Sequence, residues 1–170
     1  MIDIESVLLS DEDINVIKNP HVGGIILFER NFKSRDQIKD LCANIREVKK
    51  EILIAVDHEG GRVQRFKNDF THIPPMQSIG NIAKSNHDKA IKLANDIGWL
   101  IASELISCGV DISFTPVLDL DIDMNTIIGN RAFSDDTRIV IDMAECIILG
   151  MKDAGMVATG KHYTGHGGVK

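Results

Sequence analysis

The sequence predicts an α/β fold, the (β/α)8 barrel class, of which this chain supplies about the first four β/α units. Short runs of β-branched apolar residues recur four times, amphipathic helical patterns separate them, and polar and glycine residues cluster directly after the runs. No linker, low-complexity tract or internal repeat divides the chain, so residues 1–170 are read as the N-terminal part of one barrel domain.

Ser10-Asp11-Glu12-Asp13 has the form of a capping box, which starts a short helix running to about Lys18 and stopped by Asn19-Pro20. The continuous apolar run of residues 22–28 is too short for a lone helix and reads as a strand covered on both faces. Ser34 can cap the next helix, in which Ile38, Leu41, Cys42, Ile45 and Val48 form one apolar face. Residues 52–57 repeat the buried-strand pattern. A long loop containing Gly and Pro follows, and Leu93, Ala94, Ile97, Leu100, Ile101 and Leu105 then restore the helical period up to Gly109.

Residues 110–115 give a third strand. Val140, Met143, Ala144, Ile147, Ile148 and Met151 mark a helix ending near Gly155, and Met156-Val157-Ala158-Thr159 gives a fourth strand. Strands that alternate with helices must lie parallel, because each helix carries the chain back for a right-handed crossover. A closed barrel needs eight strands and typically about 250 residues. The 170 residues therefore read as about half a barrel, ending just after strand four.

Composition narrows the function classes. A 44% hydrophobic content is enough for a buried core, which excludes disorder, and 25 acidic against 19 basic residues with no basic run excludes a nucleic-acid partner. The N-terminus has no basic stretch leading into a long apolar one, which argues against a leader and a membrane span. Cys42, Cys108 and Cys146 fall in helical segments without CxxC spacing, so a reduced, cytoplasmic protein is expected.

The chemistry is expected where the barrel puts it, at the strand ends: Asp57-His58-Glu59-Gly60-Gly61-Arg62, Asp119, and Lys161-His162. A fixed Asp57 carboxylate can accept from two vicinal sugar hydroxyls while Gly60-Gly61 lets backbone approach a ligand closely. The plainer alternative is a loop acid tied to local amides. Three other patterns argue against themselves. Gly155 to Lys161 fits GxxxxGK, but a strand lies between the glycines and His162 replaces the Ser/Thr of a phosphate loop. Asp119, Asp121, Asp123 and Asn125 alternate like a calcium loop, yet Met124 takes the glycine position, which leaves a solvated acidic loop. His162 and His166 have helical metal-ligand spacing among glycines that oppose a helix, so no metal is assigned.

Four ordered motifs carry a resemblance: residues 57–65 (Asp-His-Glu-Gly-Gly-Arg-Val-Gln-Arg), 114–119 (Phe-Thr-Pro-Val-Leu-Asp), 128–133 (Ile-Gly-Asn-Arg-Ala-Phe) and 160–167 (Gly-Lys-His-Tyr-Thr-Gly-His-Gly). In that order the chain resembles glycoside hydrolase family 3, specifically the single-domain bacterial β-N-acetylhexosaminidases of peptidoglycan recycling. The resemblance implies a cytoplasmic retaining glycosidase without metal or organic cofactor, releasing terminal N-acetylglucosamine from muropeptides. It implies that Asp57, Arg65, Arg131, Lys161 and His162 grip that sugar, with Asp57 accepting from hydroxyls and Lys161 and His162 donating to oxygens. Two structural alternatives remain open: Arg131 paired with a carboxylate such as Asp119 or Asp135, and Lys161 neutralising Asp57.

The family's catalytic groups, an Asp nucleophile and an Asp-His acid/base pair, are expected beyond Lys170, so none is assigned within the chain. Tyr163-Thr164 stand where the family usually has Phe-Pro, which removes a fixed φ from the loop that aims Lys161 and His162. A competing reading is a non-catalytic half-barrel that binds sugar or self-associates through open sheet edges.

Overall fold

The computed structural model describes residues 1–122 and 126–168; Asp123, Met124 and Asn125 of the alternating acidic run, with Val169 and Lys170, lie outside them. Helix α1 (Asp11–Ile17) begins at Ser10, whose hydroxyl accepts from the Asp13 amide while the Asp13 carboxylate accepts from the Ser10 amide at 2.9 Å. Strand β1 (Gly24–Leu27) leads to helix α2 (Arg35–Val48), capped by Ser34 as expected, and then to strand β2 (Leu53–Val56). The expected long loop is instead partly ordered. It holds an antiparallel hairpin, β3 (His58–Gly60) with β4 (Val63–Gln64), and helix α3 (Met76–Ser85). Helix α4 (His87–Ser107), strand β5 (Ile112–Ser113) and helix α5 (Thr137–Asp153) complete the order.

The strands β1, β2 and β5 form a parallel sheet in that order, with Gly24 opposite Leu53 and Ala55 opposite Ile112. Asp111 fixes the start of β5. Its carboxylate accepts from the Ile54 amide at 2.8 Å and pairs with Arg46 of α2, also at 2.8 Å. Two more extended segments flank the sheet. Ile2 runs parallel to β1, donating to the Gly24 carbonyl and accepting from the Ile26 amide, so the N-terminal segment adds a strand position the sequence reading did not count.

The expected fourth strand is corrected. Residues 156–159 form no regular strand, and pairing starts only with the Thr159 amide on the Thr115 carbonyl at 2.9 Å and the Lys161 amide on the Pro116 carbonyl at 3.1 Å. By the same register the Ser113 carbonyl would face the Val157 amide, but it accepts from the Thr115 amide instead.

Strand alternation gives the sheet two unlike faces. Ile25, Leu27, Ile54 and Val56 are fully buried against the helices, whereas Leu53, on the opposite face, is 47% exposed. The expectation of strands covered on both faces therefore holds on the helical side and fails at Leu53. Beside it opens an apolar cavity of about 560 Å³, lined by Leu53, Val110, Ile112 and the exposed Val157 among others.

Helices α4 and α5 cross at backbone contact. A Cβ on Gly98 would lie 2.2 Å from the Ile147 carbonyl oxygen, and one on Gly150 would lie 2.0 Å from that of Asn95. Helix propensity favours alanine over glycine by about 1 kcal/mol, but a collision with backbone oxygen forces the helices apart. Gly98→Ala is expected to lose about 2 kcal/mol net in thermal denaturation, and an unchanged melting temperature would show that the helices separate freely.

Cys42 and Cys108 are buried, Cys146 is half-buried, and all three are free. Burial, with Cys108 nearby, pushes the Cys42 thiol up to about 12, which keeps it protonated and fits a packing role. Among the described residues, no helix is long and apolar enough to cross a membrane.

Candidate functional site

The alternation that exposes Leu53 also aims the site. Leu53, Ala55 and Asp57 share one side of β2 and its extension, so Asp57 leaves the C-terminal end of the strand on the face away from the helices. Glu59, two residues on, continues that side. The chain then reverses at Gly60 and Gly61, whose φ angles of 110° and 54° favour glycine. These glycines face their own chain and not a ligand: a Cβ on Gly60 would lie 2.7 Å from the Pro74 carbonyl oxygen, and one on Gly61 2.9 Å from Pro75. The expected backbone approach to a sugar is thus corrected to a close packing of the hairpin on residues 73–75.

Four separate segments meet here. Lys161 Nζ donates to Asp57 Oδ1 at 2.7 Å and also contacts Glu59 Oε1. Arg131 grips Glu59 bidentately, Nε to Oε2 at 2.9 Å and Nη2 to Oε1 at 2.8 Å. Arg65 Nη2 lies 3.8 Å from Asp57 Oδ2. His162 Nδ1 is 2.5 Å from Asp119 Oδ2, and its Nε2 is 3.5 Å from Arg131 Nη2. The five residues expected to bind sugar are therefore joined in one network.

Both structural alternatives are resolved in detail. Lys161 does pair with Asp57. Arg131 takes neither Asp119 nor Asp135, because Asp135 is held by Lys84 at 3.1 Å and the buried Glu59 offers both its oxygens. Asp119 is not a solvated loop acid: its side chain is fully buried, and its oxygens accept from the His162 and His166 amides as well as the imidazole. Asp121 of the same acidic run accepts from Gln77 at 2.6 Å.

Residues 2–170 match the Glycosyl hydrolase family 3 N terminal domain. The chain belongs to this family. It is 46% identical over its whole length to a beta-hexosaminidase of Nitrosomonas eutropha, covering 49% of that protein, and 49% identical over 99% of its length to one of Methylobacillus flagellatus, again covering 49%. The crystal structure of NagZ from Neisseria gonorrhoeae in complex with N-trifluoroacetyl-D-glucosamine superposes with a TM-score of 0.96 at 44% identity, over 99% of this chain and 51% of that one. This family 3 chain thus spans about half the length of the curated relatives it matches.

The electrostatics of the family 3 site are balanced. Asp57, Glu59 and Asp119 face Arg65, Arg131 and Lys161, with His162 between. The hydrogen bond to Glu59 raises the Arg131 guanidinium above its ordinary value despite burial, and the charges of Glu59, Asp57 and Asp119 add to the effect. Each carboxylate is already engaged by a cation or an amide, so the arrangement is suited to binding and orienting a ligand. A neutral surface that offers both donors and acceptors suits an uncharged polyol better than an anion. A cavity of about 300 Å³ opens beside it, lined in part by Asp119, Lys161, His162 and Tyr163.

Glu59 and Asp119 stand in the strand-end cluster that the sequence marks, but sequence reasoning assigned neither a role in holding the site. For Glu59 a usable signal was present, since the period of two places it on the face of Asp57. The partners of Asp119 were not legible, because they are 43 and 47 residues away.

Proposed function

We propose that residues 1–170 are the N-terminal part of a single (β/α)8 barrel domain and supply its donor-sugar subsite. The intact enzyme would be a cytoplasmic β-N-acetylhexosaminidase that releases terminal N-acetylglucosamine from β-linked muropeptides. The observation that carries this is the convergence of Asp57, Arg65, Arg131, Lys161 and His162 at one end of the sheet, anchored from below by Glu59 and Asp119. A Neisseria gonorrhoeae relative bound to N-trifluoroacetyl-D-glucosamine supports the ligand class. The open face at Leu53 and Val157 supports a barrel that closes over it.

In the proposed reaction Asp57 accepts from sugar hydroxyls while Arg131 and Lys161 donate to sugar oxygens. The carboxylate nucleophile and the proton-transfer group of the retaining mechanism lie outside residues 1–170. A second reading, a non-catalytic half-barrel that self-associates through its open edges, is favoured by the same exposed Leu53 and Val157.

One assay decides between them: hydrolysis of a chromogenic β-N-acetylglucosaminide by the 170-residue chain, beside the same protein extended by whatever coding sequence follows Lys170. The extended protein is expected to turn over and the short chain to be silent. Asp57→Ala in the extended protein is expected to cost about a hundredfold in kcat/KM, the loss of hydrogen bonds to a charged group. Hydrolysis by the short chain would place the reacting groups within residues 1–170, and silence of both proteins would overturn the glycosidase reading.

A further inference from the structure

The imidazole of His162 sits between two groups whose hydrogen-bonding roles are fixed. On one side is Asp119, whose side chain is fully exposed to none of the solvent and whose oxygens are all occupied: Oδ2 by the His162 amide at 3.2 Å and by Nδ1, Oδ1 by the His166 amide. A carboxylate only accepts, so Nδ1 must carry the hydrogen. On the other side is Arg131, held by two hydrogen bonds to Glu59, with Nη2 3.5 Å from His162 Nε2. A guanidinium only donates, so a hydrogen on Nε2 would face another hydrogen. The two neighbours, on different segments, select the same form of the ring.

We propose that Asp119 is a positioning residue that fixes His162 as the Nδ1–H tautomer, and that Nε2 thereby accepts a hydrogen bond from one hydroxyl of the bound sugar. The contacts of Asp119 to two backbone amides would by themselves only tie residues 162–166 to the segment after β5. The contact to Nδ1 goes further, because it decides which end of the imidazole carries a lone pair into the site. This reverses the donor role that the sequence reading gave His162.

The consequence is a rule for the ligand. The subsite offers donors from Arg131 and Lys161 and acceptors from Asp57 and His162. A hydroxyl set between Arg131 and Nε2 must accept from the first and donate to the second. Fluorine can do only one of these and hydrogen neither, so that position demands a hydroxyl.

The tautomer stands independently of the proposed reaction, whereas the sugar contact rests on the glycosidase reading, and two measurements keep them apart. Nitrogen-15 NMR of the chain labelled in its histidine rings is expected to show His162 with a protonated Nδ1 and a bare Nε2, and to show that pattern lost in Asp119→Asn. A protonated Nε2 in the unmodified chain overturns the proposal whether or not the variant folds.

The second measurement is binding of N-acetylglucosamine and its monodeoxy and monofluoro analogues to the same chain. At one ring position both analogues are expected to bind about tenfold more weakly, and Asp119→Asn is expected to shrink the fluoro penalty there to less than about threefold. Equal binding of all analogues with the tautomer intact overturns the sugar contact alone. No binding of N-acetylglucosamine itself to this chain overturns the sugar contact, and the glycosidase reading falls with it where the extended protein is also silent in the hydrolysis assay.

Discussion

Glu59→Ala is expected to lower stability by about 3–5 kcal/mol, the usual cost of removing one partner from a buried ionic group. The side chain of Glu59 is 2% exposed, and the two cations it holds, Arg131 and Lys161, are 12% and 14% exposed. Without Glu59, Lys161 keeps Asp57 at 2.7 Å, but Arg131 loses both bonds of its bidentate grip and keeps the Ile127 carbonyl at 3.2 Å and the His162 ring at 3.5 Å as neighbours. Urea denaturation of the variant beside the unmodified chain measures the loss. A change under about 1 kcal/mol would show that water reaches the freed guanidinium and that the site is wetter than its burial implies.

A companion variant separates stability from function. Replacing Glu59 and Arg131 together by methionine removes one buried charge of each sign and leaves Lys161 paired with Asp57, and such apolar replacements are often neutral or stabilising. The double variant is therefore expected to recover most of the stability lost in Glu59→Ala and none of the sugar binding. Recovery of both would mean that the network is structural and the ligand sits elsewhere.

Helix α2 was legible because its signals are local. Ser34 accepts from the Gln37 amide, and Ile38, Leu41, Cys42 and Ile45 are each at most 1% exposed on one face. Helix α3 was not, since Pro75 gives it no side-chain cap and Gly80 weakens its helical signal. That glycine is explained only by a distant segment: a Cβ there would lie 1.8 Å from the Phe133 carbonyl oxygen. The N-terminal strand position was missed for another reason. Ile2 joins the sheet through two hydrogen bonds, too short a pairing to leave an alternating pattern in the sequence.

The site divides in the same way. Asp57, Arg65, Arg131, Lys161 and His162 could be collected because motifs carry them at strand ends. Glu59 and Asp119 stand in the same motifs, but their anchoring role could not be read, because a buried carboxylate is recognised by its partners, and those of Glu59 lie at positions 131 and 161. The acidic run that starts at Asp119 read in sequence as solvated charge; in space the Asp119 side chain is buried and holds His162, one of the side chains proposed to meet the ligand.

The histidine next to Asp57 makes a second large effect, one read from pH. His58 is 1% exposed, its ring lies 5.8 Å from that of Phe66 and 5.7 Å from that of Phe70, and among the described residues its Nδ1 has no hydrogen-bond partner. Burial alone lowers it from the ordinary 6.5 to about 4, so the ring is neutral in the folded chain at pH values where the unfolded chain would already be protonated. The contribution to stability is fully present above pH 6.5 and is lost progressively as pH falls toward 4, where the folded form also binds the proton. Over that window the loss is expected to reach about 3 kcal/mol. Denaturation midpoints between pH 7 and pH 4 in the unmodified chain and in His58→Gln test this: the variant should have a shallower slope by that amount, whatever its stability at pH 7. Parallel slopes would mean that the ring finds a partner for its proton in the fold and that the aromatic cluster does not exclude charge.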